Sequence, residues 1–210
     1  MNKPDTTRLS LYATPLAAIS APNASVLSQT LGPRVMELYQ ASGSREQDLP
    51  WQAAPQVLQP GDAAIGELAW MSATLAESMA APKAWPGPSR SGWDVLWIAE
   101  VLQPGQGLPV HDYPRADWCA CYVVDSGGGS GKSGEIELLD PRGAAVMMYA
   151  PTLTFDGPGG DVLGISQTVT LTSGSLLVFP AWLRQGTAAN SGPRPRLAIK
   201  LLLTERQDPR

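Results

Sequence analysis

The chain has 210 residues, of which 43% are hydrophobic and 16% are charged, so it can bury a substantial core and is not a disordered tail protein. We therefore expect one domain over residues 1–210. The formal net charge of -4, without a run of Lys or Arg, argues against nucleic acid or an anionic membrane as a partner and favours a small ligand.

The cysteines and the apolar runs bear on the compartment. Cys119 and Cys121 are separated by one residue in a predicted strand, a spacing that rarely permits a mutual disulfide. The run "LSLYATPLAAISAP" is interrupted at Thr14-Pro15 and follows Asp5, which is unlike a signal sequence. No run approaches the about 20 apolar residues that cross a bilayer. We expect a cytoplasmic protein without a membrane partner.

Residues 1–90 read as a helical or irregular portion, with a short candidate strand at "RLSLYAT". Apolar residues recur at helical spacing from Asn23 to Gln40, and Gly32-Pro33 is expected to break or bend that helix. Asp62 is the predicted N-cap of a second helix, which ends at "APK". Its apolar stripe comprises Ile65, Leu68, Met71, Leu75 and Met79.

Residues 91–204 change to short β-forming runs separated by turns, and residues 205–210 form a tail. Seven strands without a long helix between them favour an antiparallel sandwich, barrel or jelly roll, with the helices packed outside one sheet. The runs are Trp93 to Leu102, Trp118 to Val124, Glu135 to Leu139, Ala145 to Met148, Ile165 to Leu171, Ser175 to Phe179 and Arg196 to Leu203.

The glycine-rich segment "DSGGGSGKSGE" carries part of a phosphate-binding motif. Ser126 stands where that motif requires its first glycine, and a strand pattern follows where a helix would be needed. We interpret the segment as a flexible hairpin loop.

Three segments together resemble the 2-oxoglutarate and iron(II)-dependent oxygenases, in particular the bacterial proteins related to prolyl hydroxylases. The segments are "HDYPRADWCACYVV", "GEIELLDPRG" and "SGSLLVFPAWLRQGT…RPRLAIKLLL". The resemblance implies a double-stranded β-helix, a cupin-like jelly roll with N-terminal helices. It also implies Fe(II) and 2-oxoglutarate as cofactors, with iron held by two histidines and a carboxylate.

The ligand positions depart from that pattern. His111, the only histidine, matches the first ligand, whereas Tyr113 stands at the position of the second and Gln185 at the position of the distal histidine. Phenol and amide oxygen are poor substitutes for carboxylate and imidazole, so iron affinity should fall. A site of His111, Asp112 and Gln185 is the alternative. Restoring the family pattern with Tyr113→Asp and Gln185→His should raise the affinity for iron.

The residues that would bind the co-substrate match the family pattern better than the metal ligands do. Arg196 matches the basic residue that pairs with the distal carboxylate of 2-oxoglutarate, a role that suits the guanidinium fork. Arg194 is an alternative for this role. Tyr122 matches a family tyrosine near the co-substrate, and equally fits a half-buried strand aromatic.

Three hypotheses follow. The first is a superfamily protein with an incomplete triad that binds a small carboxylate or a partner without standard iron chemistry. The second is an active hydroxylase with a minimal site based on His111, and the third is a structural domain with a filled cavity. Whether the chain is an enzyme stays open, and an exposed strand edge would be compatible with a homodimer.

Overall fold

The computed structural model describes residues 14–44, 49–80, 92–141, 155–156, 162–163 and 166–206. They form the helices α1 (Ala24–Ala41) and α2 (Ala63–Met79). The strands are β1 (Ala17–Ser20), β2 (Trp51–Gln52), β3 (Gln56–Val57), β4 (Trp93–Leu102), β5 (Leu108–His111), β6 (Trp118–Asp125), β7 (Ile136–Leu139), β8 (Phe155–Asp156), β9 (Val162–Leu163), β10 (Ser166–Val169), β11 (Ser175–Pro180), β12 (Gln185–Thr187) and β13 (Arg196–Glu205).

Two antiparallel sheets make up the jelly roll. The larger has the order β1-β11-β6-β13-β4-β2, with β3 also paired to β4, and the smaller has the order β10-β7-β12-β5. A two-stranded ribbon, β8-β9, stands apart from both. The predicted fold, a mainly β jelly roll with N-terminal helices, is confirmed.

A hydrophobic core lies on each face of the larger sheet, because successive strand residues point to opposite faces. On β13, Leu197, Ile199 and Leu201 pack in the core beneath the helices. Ala198 and Leu202 pack in the core between the two sheets. The helices therefore cover one face of the larger sheet, as predicted, and the smaller sheet covers the other.

The first helix runs through the predicted break. Pro33 lies inside α1 and is exposed, so its ring faces solvent. Buried Leu31 and Val35 attach the helix to the sheet on both sides of the proline. Gly32 faces the sheet, where an added Cβ would lie 3.8 Å from Val124. A break at Gly32-Pro33, one of the two predicted outcomes, is wrong because tertiary packing on both sides outweighs the helix-breaking tendency of proline.

The second helix matches its prediction closely. The carboxylate of Asp62 accepts a hydrogen bond from the backbone N–H of Ile65, which is the expected N-cap. Ile65, Leu68 and Met71 are buried on the face that meets the sheet. Neither described helix is long and apolar enough to cross a membrane.

The strand predictions covered the central strands of the larger sheet and were incomplete in both sheets. The bounds of β4 are those predicted, and β6, β7, β10, β11 and β13 differ from theirs by a few residues. The strands that were missed are all short: β1, β2 and β3 in the larger sheet, β5 and β12 in the smaller one, and the ribbon strands β8 and β9. "RLSLYAT" lies outside the described residues except for its last residue, and the run Ala145 to Met148 lies wholly outside them.

The glycine-rich loop connects the two sheets. It leaves β6 in the larger sheet and enters β7 in the smaller one, so the predicted hairpin is wrong. A strand follows it directly, as predicted when the phosphate-binding motif was rejected. Gly127, Gly128, Gly131 and Gly134 all have positive φ, which allows the loop to change direction between the sheets.

Candidate functional site

The candidate site lies between the two sheets, where the larger sheet presents charged side chains to an otherwise apolar interior. Arg196 and Lys200 share the inward face of β13 with Ala198 and Leu202. Glu100 is the cross-strand partner of Ala198 on β4. The strand alternation therefore directs two cations and one carboxylate into the same interior.

These three side chains form a buried ion cluster. Lys200 Nζ lies 3.2 Å from Glu100 Oε2, and Arg196 Nη1 lies 3.7 Å from Glu100 Oε1. All three are at most 1% exposed, so water screens their charges little. Gln52 donates a hydrogen bond of 3.2 Å to Glu100 Oε2 from the edge of the sheet.

The cluster is ionised. Burial opposes the charge on Glu100, but attraction to Lys200 and Arg196 and hydrogen bonds from Lys200 and Gln52 outweigh it and hold the pKa of this carboxyl below its usual value. Burial likewise opposes the charge on Lys200, and the adjacent Glu100 carboxylate raises its pKa above the usual value. Both shifts indicate that the pair is charged at neutral pH.

His111 connects this cluster to the smaller sheet. Its Nδ1 lies 2.8 Å from the carbonyl oxygen of Pro109, and its Nε2 lies 3.3 Å from Lys200 Nζ and 3.2 Å from the Tyr113 hydroxyl. An ammonium group can only donate, so Nε2 is the acceptor and Nδ1 carries the proton. Burial, followed by repulsion from Lys200, lowers the pKa of His111.

Gln185 is the direct cross-strand partner of His111 between β12 and β5. It is fully buried, and its Nε2 lies 3.4 Å from Cys119 Sγ. Its Oε1 is buried without a hydrogen-bond partner. The structure therefore brings together His111 and Gln185, which stand at the positions of the first and the distal histidine in the family pattern.

The phenol and thiol groups near the cluster stay protonated at neutral pH. Burial raises the pKa of Tyr113 to about 12, and attraction to Lys200 offsets only part of that rise. Burial also raises the pKa of Cys119 to about 12 and raises that of Cys121. At neutral pH the site therefore contains a phenol and two thiols rather than anionic metal ligands.

Arg196 is the buried arginine among the two candidates. Within the described part of the chain its Nη1 and Nη2 have no hydrogen-bond partner. Gly134 packs so closely against its stem that a Cβ there would lie 2.6 Å from Arg196 Cδ. Arg194 is exposed and paired with Asp125 at 2.8 Å. The structure thus places Arg196 inside the jelly roll and leaves Arg194 on its surface.

Two predicted site residues are not brought to this cluster. Tyr122 lies on the helix-facing side of β6, where its hydroxyl donates to the carbonyl oxygen of Ala24 and lies 3.2 Å from Ser28 Oγ. That is the opposite face of the sheet from Arg196, so the geometry gives Tyr122 a packing position. Asp112 is exposed, since it follows His111 at the end of β5 and the alternation turns it outward.

Sequence reasoning missed Glu100 and Lys200, the buried ion pair beside His111. The signal was present, because each is a single charge at an inward position of a strand that is otherwise apolar around it, "WIAEVL" and "LAIKLLL". Lone charges at such positions are rarely tolerated without a partner. Pairing the two strands in register would have brought them together.

The side chains of this site are better suited to binding an anion than to binding a metal cation. Among the described residues, no group of three or more His, Cys, Asp and Glu side chains is arranged to hold a metal ion. The cluster combines two cations with one carboxylate, and the terminal nitrogens of Arg196 are free to donate hydrogen bonds. A carboxylate could accept two parallel hydrogen bonds from that fork.

Comparison with known proteins places this site in a family. Residues 95–201, just over half of the chain, match the family described as "Putative 2OG-Fe(II) oxygenase". The chain belongs to this family. No curated protein matches the chain. The matched range begins in β4 and ends in β13, so it includes His111, Gln185 and all three members of the buried ion cluster.

Solved structures share the fold at low sequence identity. A prolyl-4-hydroxylase from Pseudomonas putida is 16% identical, with a TM-score of 0.59 over 93% of this chain and 95% of that one. A Trichoplax adhaerens prolyl hydroxylase, solved with a hypoxia inducible factor peptide, is 15% identical (TM-score 0.55; coverage 90% and 83%). EvdO2 from Micromonospora carbonacea, complexed with 2-oxoglutarate, is 15% identical (TM-score 0.52; coverage 94% and 90%). These likenesses support the jelly-roll fold.

Proposed function

We propose that this protein binds a small carboxylate inside the jelly roll and does so without the iron chemistry of its family. The observation that carries the proposal is the contact between Lys200 and His111. The only imidazole that could ligate iron directs its free lone pair at a buried ammonium group 3.3 Å away.

The residues present do not fit iron(II). A metal ion on Nε2 of His111 would have to lie against the positive charge of Lys200, in an interior that screens the repulsion weakly. Gln185 offers an amide oxygen, Tyr113 a protonated phenol, and Asp112 is exposed. A site for non-haem iron needs two imidazoles and a carboxylate in a facial arrangement.

The case for a carboxylate ligand rests on Arg196. A buried guanidinium with two unsatisfied terminal nitrogens leaves hydrogen-bonding capacity unused at a cost in free energy. A carboxylate ligand would satisfy both nitrogens and compensate the second cation of the cluster. EvdO2, a structural neighbour, has been solved with 2-oxoglutarate, which makes this compound a suitable first probe.

The test is a calorimetric titration of the chelator-treated protein with 2-oxoglutarate and with succinate, which lacks the keto group. Binding is expected for the natural protein. The Arg196→Leu variant should bind at least about tenfold more weakly, because charge-assisted hydrogen bonds are lost. Arg194→Leu is the matched control, since it removes an exposed arginine two residues away.

Two outcomes would contradict the proposal. One is the absence of carboxylate binding in the natural protein under metal-free conditions. The other is iron-dependent conversion of 2-oxoglutarate to succinate that disappears in His111→Ala, which would instead establish an active oxygenase with a minimal site.

A further inference from the structure

We propose that Lys200 is a tethered cation that occupies a cation-binding position between His111 and Glu100, and that removing its ammonium group converts this position into a divalent-metal site. This inference rests on the proposed function, since it explains how a family member would exclude metal. It also assigns Glu100 as a latent ligand, on a strand outside the segments that carry the family resemblance.

The geometry around Lys200 Nζ is that of a cation between two basic atoms. His111 Nε2 lies 3.3 Å and Glu100 Oε2 lies 3.2 Å from the same nitrogen. The ring of Tyr113 lies on a further side, with its centroid 5.7 Å away. Imidazole nitrogen and carboxylate oxygen are both common ligands of zinc and cobalt.

Both basic atoms are already held in orientations suited to a cation. His111 fixes its tautomer through Nδ1 and the carbonyl oxygen of Pro109, the arrangement that metal-binding histidines usually have. Glu100 is oriented by the hydrogen bond from Gln52. The hydrogen bonds that usually orient metal ligands are therefore present, although the cation between these two residues is the ammonium group of Lys200.

Gln185 offers a third potential ligand, an amide oxygen, on the strand beside His111. Gln185 is the cross-strand partner of His111, is fully buried, and has an Oε1 atom without a hydrogen-bond partner. An amide oxygen is a weak ligand by itself. Beside an imidazole and a carboxylate it could complete a three-residue site once the ammonium is gone.

The experiment titrates Co²⁺ and Zn²⁺ into the natural protein and the Lys200→Ala variant. The natural protein should bind no metal at His111. Lys200→Ala should bind one equivalent, at least about 100-fold more tightly, because both the ammonium charge and the side chain that fills the position have been removed. Cobalt absorption bands should appear, and they should disappear in Lys200→Ala/His111→Ala and in Lys200→Ala/Glu100→Gln.

Lys200→Met is the matched control for the loss of charge. Its unbranched side chain fills much of the space that the lysine stem occupied, so it removes the repulsion without creating room for an ion. We expect little gain in metal affinity for this variant. A gain equal to that of Lys200→Ala would contradict the idea that the ammonium occupies the metal position itself.

A measurement on the natural protein covers the case in which Lys200→Ala fails to fold. Because His111 is the only histidine, its ring nitrogens give the only imidazole signals in a ¹⁵N NMR spectrum. The expected spectrum has a proton on Nδ1, none on Nε2, and no change when Zn²⁺ is added. A proton on Nε2, or a zinc-induced shift of that nitrogen, would overturn the inference.

Different results would overturn the proposed function and the tethered-cation inference. Iron or zinc bound at His111 in the natural protein would overturn both the tethered cation and the iron-free function. A folded Lys200→Ala variant that binds no more metal than the natural protein would overturn only the tethered cation. The proposal of carboxylate binding would then still be tested separately, by the effect of Arg196→Leu on binding in the presence of chelator.

Discussion

Lys200 Nζ and His111 Nε2 lie 3.3 Å apart between the two sheets, so the single imidazole of this chain accepts a hydrogen bond from a cation that the protein itself supplies. Glu100 compensates the charge of that cation. Three strands meet through these contacts, since β4 carries Glu100, β5 carries His111 and β13 carries Lys200. We expect the contact to affect stability as well as ligand choice.

Stability should fall between about pH 7 and pH 5 because of His111. Its pKa in the folded state lies below the usual value of 6.5, so the unfolded chain takes up a proton first as the pH decreases. The free energy of unfolding is therefore lost from about pH 6.5 downward. Urea titrations at pH 7 and pH 5.5 should show this loss, and His111→Gln should reduce it.

Glu100 acts in a lower pH range. Its folded-state pKa lies below 4.5, so its stabilising contribution is present above that pH and is lost as the pH falls further. A Glu100→Gln variant should accordingly keep the loss of stability between pH 7 and pH 5.5. Disappearance of that loss in Glu100→Gln would mean that it does not come from His111.

Gly134→Ala should impair carboxylate binding, whereas Gly131→Ala should not. Both glycines have φ of 62°, so the backbone cost of an alanine is similar at the two positions. The new Cβ at position 134 would lie 2.6 Å from Arg196 Cδ, and the one at 131 meets nothing within 4 Å. Calorimetry with 2-oxoglutarate compares them; equal affinities would argue against Arg196 as the anchor.

Pro33→Ala should stabilise the fold by about 1–3 kcal/mol. Proline inside a helix cannot donate its backbone hydrogen bond and clashes with the preceding turn, here toward Gln29. Its side chain is exposed, so little packing is lost. Urea unfolding measures the change, with the exposed Glu37→Ala in the same helix as the control. A loss of stability would mean that Pro33 itself helps to dock α1.

Restoring the family ligands should not be sufficient for iron binding. The Tyr113→Asp/Gln185→His variant provides the missing carboxylate and imidazole, but the ammonium of Lys200 remains beside His111. We expect strong iron(II) binding only when Lys200→Ala is added to the pair. Anaerobic iron titration compares the double and triple variants, and equal affinities would show that Lys200 does not control access of metal.

The sequence predicted the long central strands better than the short ones for a physical reason. β4 and β13 are long, with buried residues on both faces for most of their length, so their apolar runs are unmistakable. β5 and β12 have four and three residues, and β12 has a register irregularity beside Gln185. Periodicity has too few residues to detect such strands, and here they carry His111 and Gln185.

The site was predicted in part. Family resemblance located His111, Gln185 and Arg196, and the structure brings all three into the same interior. It could not locate Glu100 and Lys200, because their importance comes from pairing across β4 and β13 rather than from a motif. Tyr122 shows the opposite error, since a matching residue type in a strand does not reveal which face of the sheet the hydroxyl reaches.

The most direct test of this account is an anaerobic titration of the natural protein, purified without chelator, with iron(II) in the presence and absence of 2-oxoglutarate. The account predicts no bound iron after purification, no iron uptake in either titration, and binding of 2-oxoglutarate alone. One equivalent of iron held through His111, and lost in His111→Ala, would contradict it and make the protein an oxygenase with a minimal metal site.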